Sequence, residues 1–140
     1  MIGRGLDYFI AMEGSLKLKE VSYIHSEAYA SGELKHGPLA LITEHTPVVA
    51  VATQKQLLSK EVSNIREVRS RGADVVLFAK EQLMPEEEEG YLTFELPDVR
   101  DEFMCLPAAA ALQLLAYYVS SDKGYDVDKP RNLAKVVTVE

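Results

Sequence analysis

The stretch "PVVAVAT" at residues 47–53 decides the fold of this chain. It is short, continuously apolar and rich in β-branched residues, so it predicts a strand buried on both faces, as is typical of parallel sheets. "DVVLFA" at residues 74–79 predicts a second strand of this kind, and "YLTFEL" at residues 91–96 predicts a third. Between the first two lies "LLSKEVSNIREVRSRG", whose apolar residues share one helical stripe and whose Gly72 is expected to end the helix. Strands that alternate with helices predict an α/β domain with a parallel sheet.

Two further helices are predicted on either side of this region. Residues 8–23 have apolar side chains close to a helical period, and Asp7 is predicted to cap the helix N-terminus. Residues 103–118 are apolar almost all round, which predicts a buried helix with Pro107 in its first turns. The single cysteine, Cys105, lies in this apolar setting and is expected to pack in the core.

The first five residues, "MIGRG", predict the last two residues of a strand followed by a glycine turn. We therefore expect the chain to begin inside a fold. Gly3 and Gly5 also resemble the start of a dinucleotide-binding fingerprint, but Tyr8 stands where its third glycine belongs. A tight turn from strand to helix is favoured over a phosphate-binding nucleotide site.

Length and composition exclude several classes of function. The 140 residues are enough for one domain with one sizeable core. Fifteen basic and 22 acidic residues give a net charge of −7, which argues against a nucleic-acid partner because phosphate binding needs a clustered basic face. No uninterrupted apolar run is long enough for a membrane span, and no secretory signal pattern follows Met1. A lone cysteine cannot form an internal disulfide, so we expect a cytoplasmic protein without membrane contact.

The stretch "LKLKEVSYIHSEAYASGELKHGP" at residues 16–38 contains candidate acid/base groups. Lys17 and Glu20 lie on one helical stripe and form either a proton-transfer pair or an ordinary surface ion pair, and spacing alone favours the surface pair. His36 is expected at a helix end or in a loop, because Pro38 bars its predecessor from helical geometry. It is either an acid/base group near neutral pH or an exposed, capping histidine.

A further candidate lies in the tail of the chain. Lys135 is flanked by apolar residues and follows Arg131 by four positions. Partial burial and a neighbouring cation would lower the pKa of its amine and make it nucleophilic, whereas a solvated tail lysine is the simpler interpretation. His25 and His45 have no partner at metal-ligand spacing, so no metal site is expected.

Two long motifs carry a resemblance to a known family. They are "GRGLDYFIAMEGSLKLKEVSYIHSEAYASGELKHGPLALI" at residues 3–42 and "DVDKPRNLAKVVTVE" at residues 126–140. The chain resembles, over essentially its whole length, the C-terminal part of the glutamine–fructose-6-phosphate aminotransferases, also called glucosamine-6-phosphate synthases. The resemblance implies a flavodoxin-like three-layer sandwich with a parallel sheet and a truncated first strand. Residues 1–125 would form part of a second sugar isomerase (SIS) domain, and residues 126–140 a tail that carries the reactive lysine.

The resemblance also implies roles for individual residues. Glu20 matches the base that moves a proton between C1 and C2 of the ring-opened sugar, and Lys17 matches a lysine that assists at the C1 oxygen. His36 matches the ring-opening histidine, which in the family reaches the active site of the neighbouring subunit. Lys135 matches the tail lysine that forms a Schiff base with the C2 carbonyl of fructose 6-phosphate. Lys17, Glu20, Ala134 and Lys135 are the expected substrate-binding residues, and no cofactor is expected.

The implied reaction converts fructose 6-phosphate and glutamine to glucosamine 6-phosphate and glutamate. The family's glutaminase domain and first SIS domain, with its phosphate-binding loops, have no counterpart in the chain, so we expect a fragment that is inactive alone. The alternative is a stand-alone SIS module that binds a phosphosugar or a partner protein without catalysis. We also expect a homo-oligomer, namely a dimer, and a tail from residue 124 that is mobile or docked on a neighbouring copy.

Overall fold

The structure is a computed structural model that describes residues 1–83 and 91–133. These residues form a parallel sheet of five strands in the order β2-β1-β3-β4-β5, with helices on both faces. The predicted α/β class and the three-layer arrangement are confirmed. The elements in chain order are β1 (Ile2–Gly3), α1 (Leu6–Ser22), β2 (Tyr29–Ala30), β3 (Pro47–Ala52), α2 (Leu58–Arg69), β4 (Asp74–Lys80), β5 (Tyr91–Leu96) and α3 (Cys105–Asp122).

The two central strands, β3 and β4, separate two apolar clusters. Ala50 and Leu77 belong to the cluster that includes the buried face of α2. Val51 and Phe78 belong to the other cluster, with α1 and α3. Both sets of side chains are buried because successive residues of a strand point to opposite faces of the sheet. This explains why "PVVAVAT" is apolar without alternation.

The turn between β1 and α1 requires its glycines, as the sequence predicts. A Cβ on Gly3 would lie 2.6 Å from the backbone of Asp7, and Gly5 has a φ of 56°. The prediction that Asp7 caps α1 is wrong, because Gly5 occupies the N-cap position. Asp7 lies in the first turn and is buried, where its carboxylate accepts two hydrogen bonds from Thr53.

Helix α3 is not buried all round, contrary to the prediction. Only one face is covered, and Leu112 on that face packs against Gly14 of α1. The other face leaves large apolar side chains exposed, among them Leu106 and Tyr118, and Cys105 is exposed rather than packed in the core. The segment Asp101–Asp122 is also long and apolar enough to cross a membrane by length and composition alone, with 28% of its apolar window buried. One such helix is weak evidence for a membrane span, because core helices of soluble proteins can have the same length and composition.

Three features of the fold were not predicted. Strand β2 has only two residues, and the following residues form two short 3-10 helices, Ser31–His36 and Pro38–Leu41. The apolar residues that predicted α1, such as Phe9 and Met12, are exposed, whereas Ala11 on another side of the helix is buried.

β1 lies between β2 and β3, so the chain changes direction in the sheet at the carboxyl ends of β1 and β3. Open α/β sheets bind their ligands at such a point.

Candidate active site

One side of α1 carries the charged group that the sequence singled out. The Lys17 Nζ lies 2.7 Å from the Glu20 Oε2 and 3.7 Å from the Glu13 Oε1. The hydrogen bond to Glu20 raises the pKa of Lys17, although partial burial works in the opposite direction. Lys17 is therefore a cation at neutral pH: it can stabilise charge on a neighbouring oxygen, but it cannot accept a proton.

Glu20 also lines a groove at the C-terminal end of α1. Its lining residues are Glu20, Val21, Val127, Asp128, Lys129, Pro130 and Leu133, and its volume is about 590 Å³. The tail therefore forms one wall of the groove and α1 forms the other. The expectation that the tail is mobile or docked on a neighbouring copy stays a prediction, since the structure contains one chain. The part of the tail up to residue 133 is described. That part lies on α1 of the same chain, where the Arg131 N–H donates a hydrogen bond to the Tyr23 Oη at 2.8 Å.

His36 ends the first 3-10 helix, as the sequence predicts. Gly37 follows with a φ of 146° and separates this helix from the one that Pro38 begins. The imidazole is 74% exposed, and its Nε2 lies 3.9 Å from the Glu33 Oε2. None of the contacts found within residues 1–83 and 91–133 joins His36 to Lys17 or Glu20, so the structure brings together two of the predicted site residues and not the third.

Ala134 and Lys135 lie outside the described residues. Leu133, the residue before them, lines the groove together with Glu20.

A buried polar cluster that was not predicted from the sequence lies beside the 3-10 helix that carries His36. The Glu61 Oε1 of α2 accepts a hydrogen bond from the Ser31 Oγ at 2.7 Å, and its Oε2 faces the Arg4 Nε at 3.9 Å. Glu61 is 1% exposed. Burial raises the pKa of its carboxyl to about 7, and the Ser31 hydrogen bond and the Arg4 charge only partly oppose this. A sequence signal existed, because Glu61 shares the buried stripe of α2 with Ile65 and Val68.

A second buried carboxylate occupies the carboxyl end of β3. The Asp7 Oδ2 accepts the Thr53 N–H at 2.8 Å, and the Asp7 Oδ1 accepts the Thr53 hydroxyl at 2.5 Å. Burial raises the pKa of Asp7, and the Thr53 hydrogen bonds oppose that shift. Asp7 thus places a buried carboxyl group in the first turn of α1, where it would repel a second anion such as a phosphate. This supports the sequence interpretation that "GRG" is a turn and not a phosphate loop.

No metal site emerges from the described ranges, 1–83 and 91–133, where no three His, Cys, Asp or Glu side chains lie close enough together to hold an ion. The His45 Nδ1 lies 3.2 Å from the Asp74 Oδ2. His45 is one of the two histidines for which the sequence predicts no metal partner.

A parallel sheet between two helical layers, with polar side chains at the carboxyl ends of its strands, defines an α/β domain of the flavodoxin-like class. Residues 1–120 match the SIS domain family, and the chain belongs to that family.

Comparisons with known proteins confirm the resemblance that the motifs indicate. Over 139 residues the chain is 58% identical to a glutamine–fructose-6-phosphate aminotransferase (isomerizing) of Caldanaerobacter subterraneus, which covers 99% of the chain. It is similar to a solved C-terminal domain of glucosamine-fructose-6-phosphate aminotransferase from Francisella tularensis, with 47% identity and a TM-score of 0.87 over 91% of the chain. It is also similar to a glucosamine-6-phosphate deaminase from Thermotoga maritima, with 28% identity and a TM-score of 0.74 over 97% of the chain. The chain spans 23% of the Caldanaerobacter relative, 36% of the Francisella chain and 39% of the Thermotoga chain.

Proposed function

We propose that the chain is part of the isomerase site of a glutamine–fructose-6-phosphate aminotransferase. The observation that carries the proposal is the groove in which Glu20, the ion-pair partner of Lys17, faces the tail. Lys135 follows Leu133, which lines the groove, by two positions in the sequence. The division into a partial SIS domain (residues 1–125) and a tail (residues 126–140) remains part of this proposal, and so does the role of Ala134 beside the substrate.

The proposed chemistry is a ketose-to-aldose conversion through an imine. The Lys135 amine attacks C2 of the open-chain sugar, the C=N bond forms, and the C2 oxygen leaves as water. Ammonia derived from glutamine then attacks C2 and displaces the Lys135 amine, so the lysine is released and the imine nitrogen stays with the sugar. This imine acidifies the C1 hydrogen, and the Glu20 carboxylate takes that proton from C1 and returns it at C2. Lys17 stays protonated and stabilises charge at the C1 oxygen. These steps need no cofactor.

The substrate class is a phosphosugar, namely fructose 6-phosphate or glucosamine 6-phosphate, as in the names of the relatives. A phosphate dianion needs several converging donors, usually backbone N–H groups or hydroxyls of a loop. The first turn of α1 already contains the buried carboxyl group of Asp7, which accepts hydrogen bonds from the Thr53 N–H and hydroxyl and would repel a phosphate. We therefore expect other parts of the complete enzyme to hold the phosphate. We expect this chain alone neither to bind the sugar phosphate tightly nor to convert it.

His36 fits the proposal only if copies of the chain associate. Its imidazole is exposed and has no contact with the Lys17–Glu20 pair among those described. A ring-opening role would then serve the site of a neighbouring copy, which requires a homo-oligomer, and a dimer is the smallest one. The proposed location is the cytoplasm, where the lone cysteine stays reduced.

A hybrid enzyme tests the proposal directly. In the hybrid, this chain replaces the matching 139-residue region of the Caldanaerobacter relative. We expect the hybrid to form glucosamine 6-phosphate and to be trapped as an imine by borohydride in the presence of fructose 6-phosphate. Lys135→Ala should abolish the trapped adduct. Glu20→Gln should keep the adduct but slow exchange of the C1 proton with solvent by about 10²–10⁴-fold.

Lys19→Ala is the matched control, because Lys19 is an exposed lysine of α1 outside the groove. It should change neither measurement. Calorimetric titration of the 140-residue chain with fructose 6-phosphate completes the test. An inactive hybrid together with micromolar binding by the chain alone would favour the stand-alone, non-catalytic SIS module instead.

A further inference from the structure

Tyr23 stands at the point where α1 ends and the tail returns. Its backbone is left-handed, with a φ of 59°, and its N–H donates to the carbonyl of Lys19. A positive φ is uncommon in a residue with a bulky side chain, so surrounding contacts must stabilise it. Its ring contacts two tail groups, with the Tyr125 ring centroid at 5.0 Å and the Arg131 Cζ at 4.0 Å from the Tyr23 ring centroid.

The tail is therefore held to Tyr23 by the ring and by the hydroxyl. The Arg131 guanidinium lies well within the roughly 6 Å at which a cation and an aromatic ring attract each other, and the Arg131 backbone N–H donates to the Tyr23 Oη at 2.8 Å. Gly124, with a φ of 74°, helps to reverse the chain after α3, and the Tyr125 N–H donates to the Ser120 carbonyl at 3.1 Å. The tail thus leaves α3 in a defined direction and crosses the end of α1.

This anchor is one helical turn from the carboxylate of the proposed site. Tyr23 follows Glu20 by three positions, and residues with that spacing are neighbours on a helix surface. The tail segment that Tyr23 holds supplies the wall of the groove opposite Glu20, including Pro130 and Leu133.

We propose that Tyr23 is a positioning residue, which fixes residues 125–133 across the end of α1 and so sets the position from which the chain continues to Lys135. The inference rests on the proposed function, because Lys135 supplies the chemistry of the tail. Tyr23 itself need not touch the substrate. Its role is to hold Lys135 in a fixed position relative to the Glu20 carboxylate. Tyr23 would therefore raise the rate through proximity and would not itself transfer a proton or form a bond.

The first measurement tests the anchor without any activity. Amide hydrogen exchange of Arg131 is followed by NMR in the 140-residue chain. Tyr23→Phe removes the acceptor of the Arg131 N–H but keeps the ring, so we expect this amide to exchange at least about tenfold faster while amides of the β3–β4 core are unchanged. Tyr29→Phe is the matched control, since the Tyr29 hydroxyl bonds to Glu27, away from the tail. Unchanged exchange at Arg131 would overturn the anchor.

The second measurement tests positioning in the hybrid enzyme. Tyr23→Ala should lower the borohydride-trapping rate at saturating fructose 6-phosphate by about 10–100-fold and change KM less than about twofold, because phosphate is bound elsewhere. Tyr23→Phe, which keeps the ring contacts with Tyr125 and Arg131, should retain most of the rate.

The outcomes separate this inference from the proposed function. Faster exchange at Arg131 with normal trapping in Tyr23→Ala would overturn the positioning role and leave the imine chemistry standing. A rise in KM with an unchanged trapping rate would also overturn it, because the residue would then act on binding. An unsubstituted hybrid that is never trapped would overturn the proposed function, and the positioning role with it.

Discussion

Asp7 takes two hydrogen bonds from Thr53, and all three groups are buried. Asp7→Asn preserves the shape of the side chain but replaces one acceptor oxygen by an NH₂ group that faces a donor. A buried donor without a partner costs about 1–3 kcal/mol, and we expect the free energy of unfolding to fall by that amount. Urea denaturation at pH 7 measures it. Asp122→Asn, at an exposed site, should stay within about 0.5 kcal/mol of the unsubstituted chain, and equal effects of the two substitutions would refute the role of Asp7.

Substitution of Lys17 distinguishes the two interpretations of its pair with Glu20, namely a proton-transfer pair and a surface ion pair. Its side chain and that of Glu20 are both about 30% exposed, so their ion pair should contribute only about 0.2–1 kcal/mol to stability. Lys17→Met should therefore change the free energy of unfolding little, whereas the turnover of the hybrid enzyme should fall by about 10²-fold or more if the cation stabilises charge in the transition state. Glu13→Gln removes the more distant partner of Lys17 and is the control. Turnover that survives Lys17→Met would leave the surface ion pair as the correct interpretation.

The contact between α1 and α3 depends on a glycine in the middle of a helix. A Cβ on Gly14 would lie 2.5 Å from the Leu112 Cδ1 and 3.0 Å from its Cβ. Alanine favours a helix by about 0.8–1 kcal/mol over glycine, but overpacking costs about 1–3 kcal/mol, so we expect Gly14→Ala to destabilise the chain. Urea denaturation of the single variants and of Gly14→Ala/Leu112→Ala tests the cause. The double variant should be more stable than the sum of its single effects predicts, and strict additivity would contradict the clash.

Helix α2 makes the stability of the chain depend on pH through Glu61. Its carboxyl has a pKa raised from 4.5 to about 7, mainly by burial. A raised pKa means that the folded state favours the protonated form, so this contribution is complete below pH 4.5 and is lost as the pH rises to about 7. The loss amounts to about 3 kcal/mol at most.

Glu61→Gln removes that titration and keeps an oxygen for the Ser31 hydroxyl. We expect the stability of this variant relative to the unsubstituted chain to increase from pH 5 to pH 8, measured by urea denaturation at each pH. Glu44→Gln, whose side chain is 85% exposed, is the control and should show no such trend. A difference that is constant with pH would mean that the Glu61 carboxyl titrates normally.

Most elements were predictable because their signals are local. Strands β3 and β4 are continuous apolar runs, and only a strand buried on both faces tolerates such runs at this length. Strand β2 was not predictable, since two residues carry no periodicity and are fixed by pairing with β1. The exposure of α3 was not predictable either, because a sequence that is apolar all round does not say which face is covered.

The candidate site was predictable in the same uneven way. The Lys17–Glu20 contact follows from helical spacing, and the structure contains it. Asp7 was assigned to a helix cap because caps favour aspartate, but its partners are on Thr53, 46 positions away, and no local rule identifies them. Glu61 could have been found as an inward-facing acid on the apolar stripe of α2. The contact of the tail with Tyr23 joins residues 108 positions apart and required the fold.

Within residues 1–83 and 91–133, a large apolar surface is exposed on the α1–α3 side and β5 forms one edge of the sheet. Phe9 on α1 is 65% exposed, Leu106 and Tyr118 on α3 are 69% and 65% exposed, and Phe94 on β5 is 49% exposed. Surfaces of this kind favour association, and unpaired edge strands can join other chains. Association would also give the exposed His36 a neighbouring site to serve.

We therefore predict that the chain is a dimer or a larger assembly in solution. Light scattering coupled to size exclusion should give at least twice the 15.6 kDa of one chain at high concentration. Phe9→Lys combined with Tyr118→Lys puts charge on the apolar surface and should shift the equilibrium towards the monomer, because each buried side chain of this size contributes about 1.5–3 kcal/mol. Lys60→Glu, on the exposed side of α2, changes charge elsewhere and should leave the mass unchanged. A clean monomer at every concentration would remove the neighbouring site, and with it the proposed route by which His36 reaches a substrate.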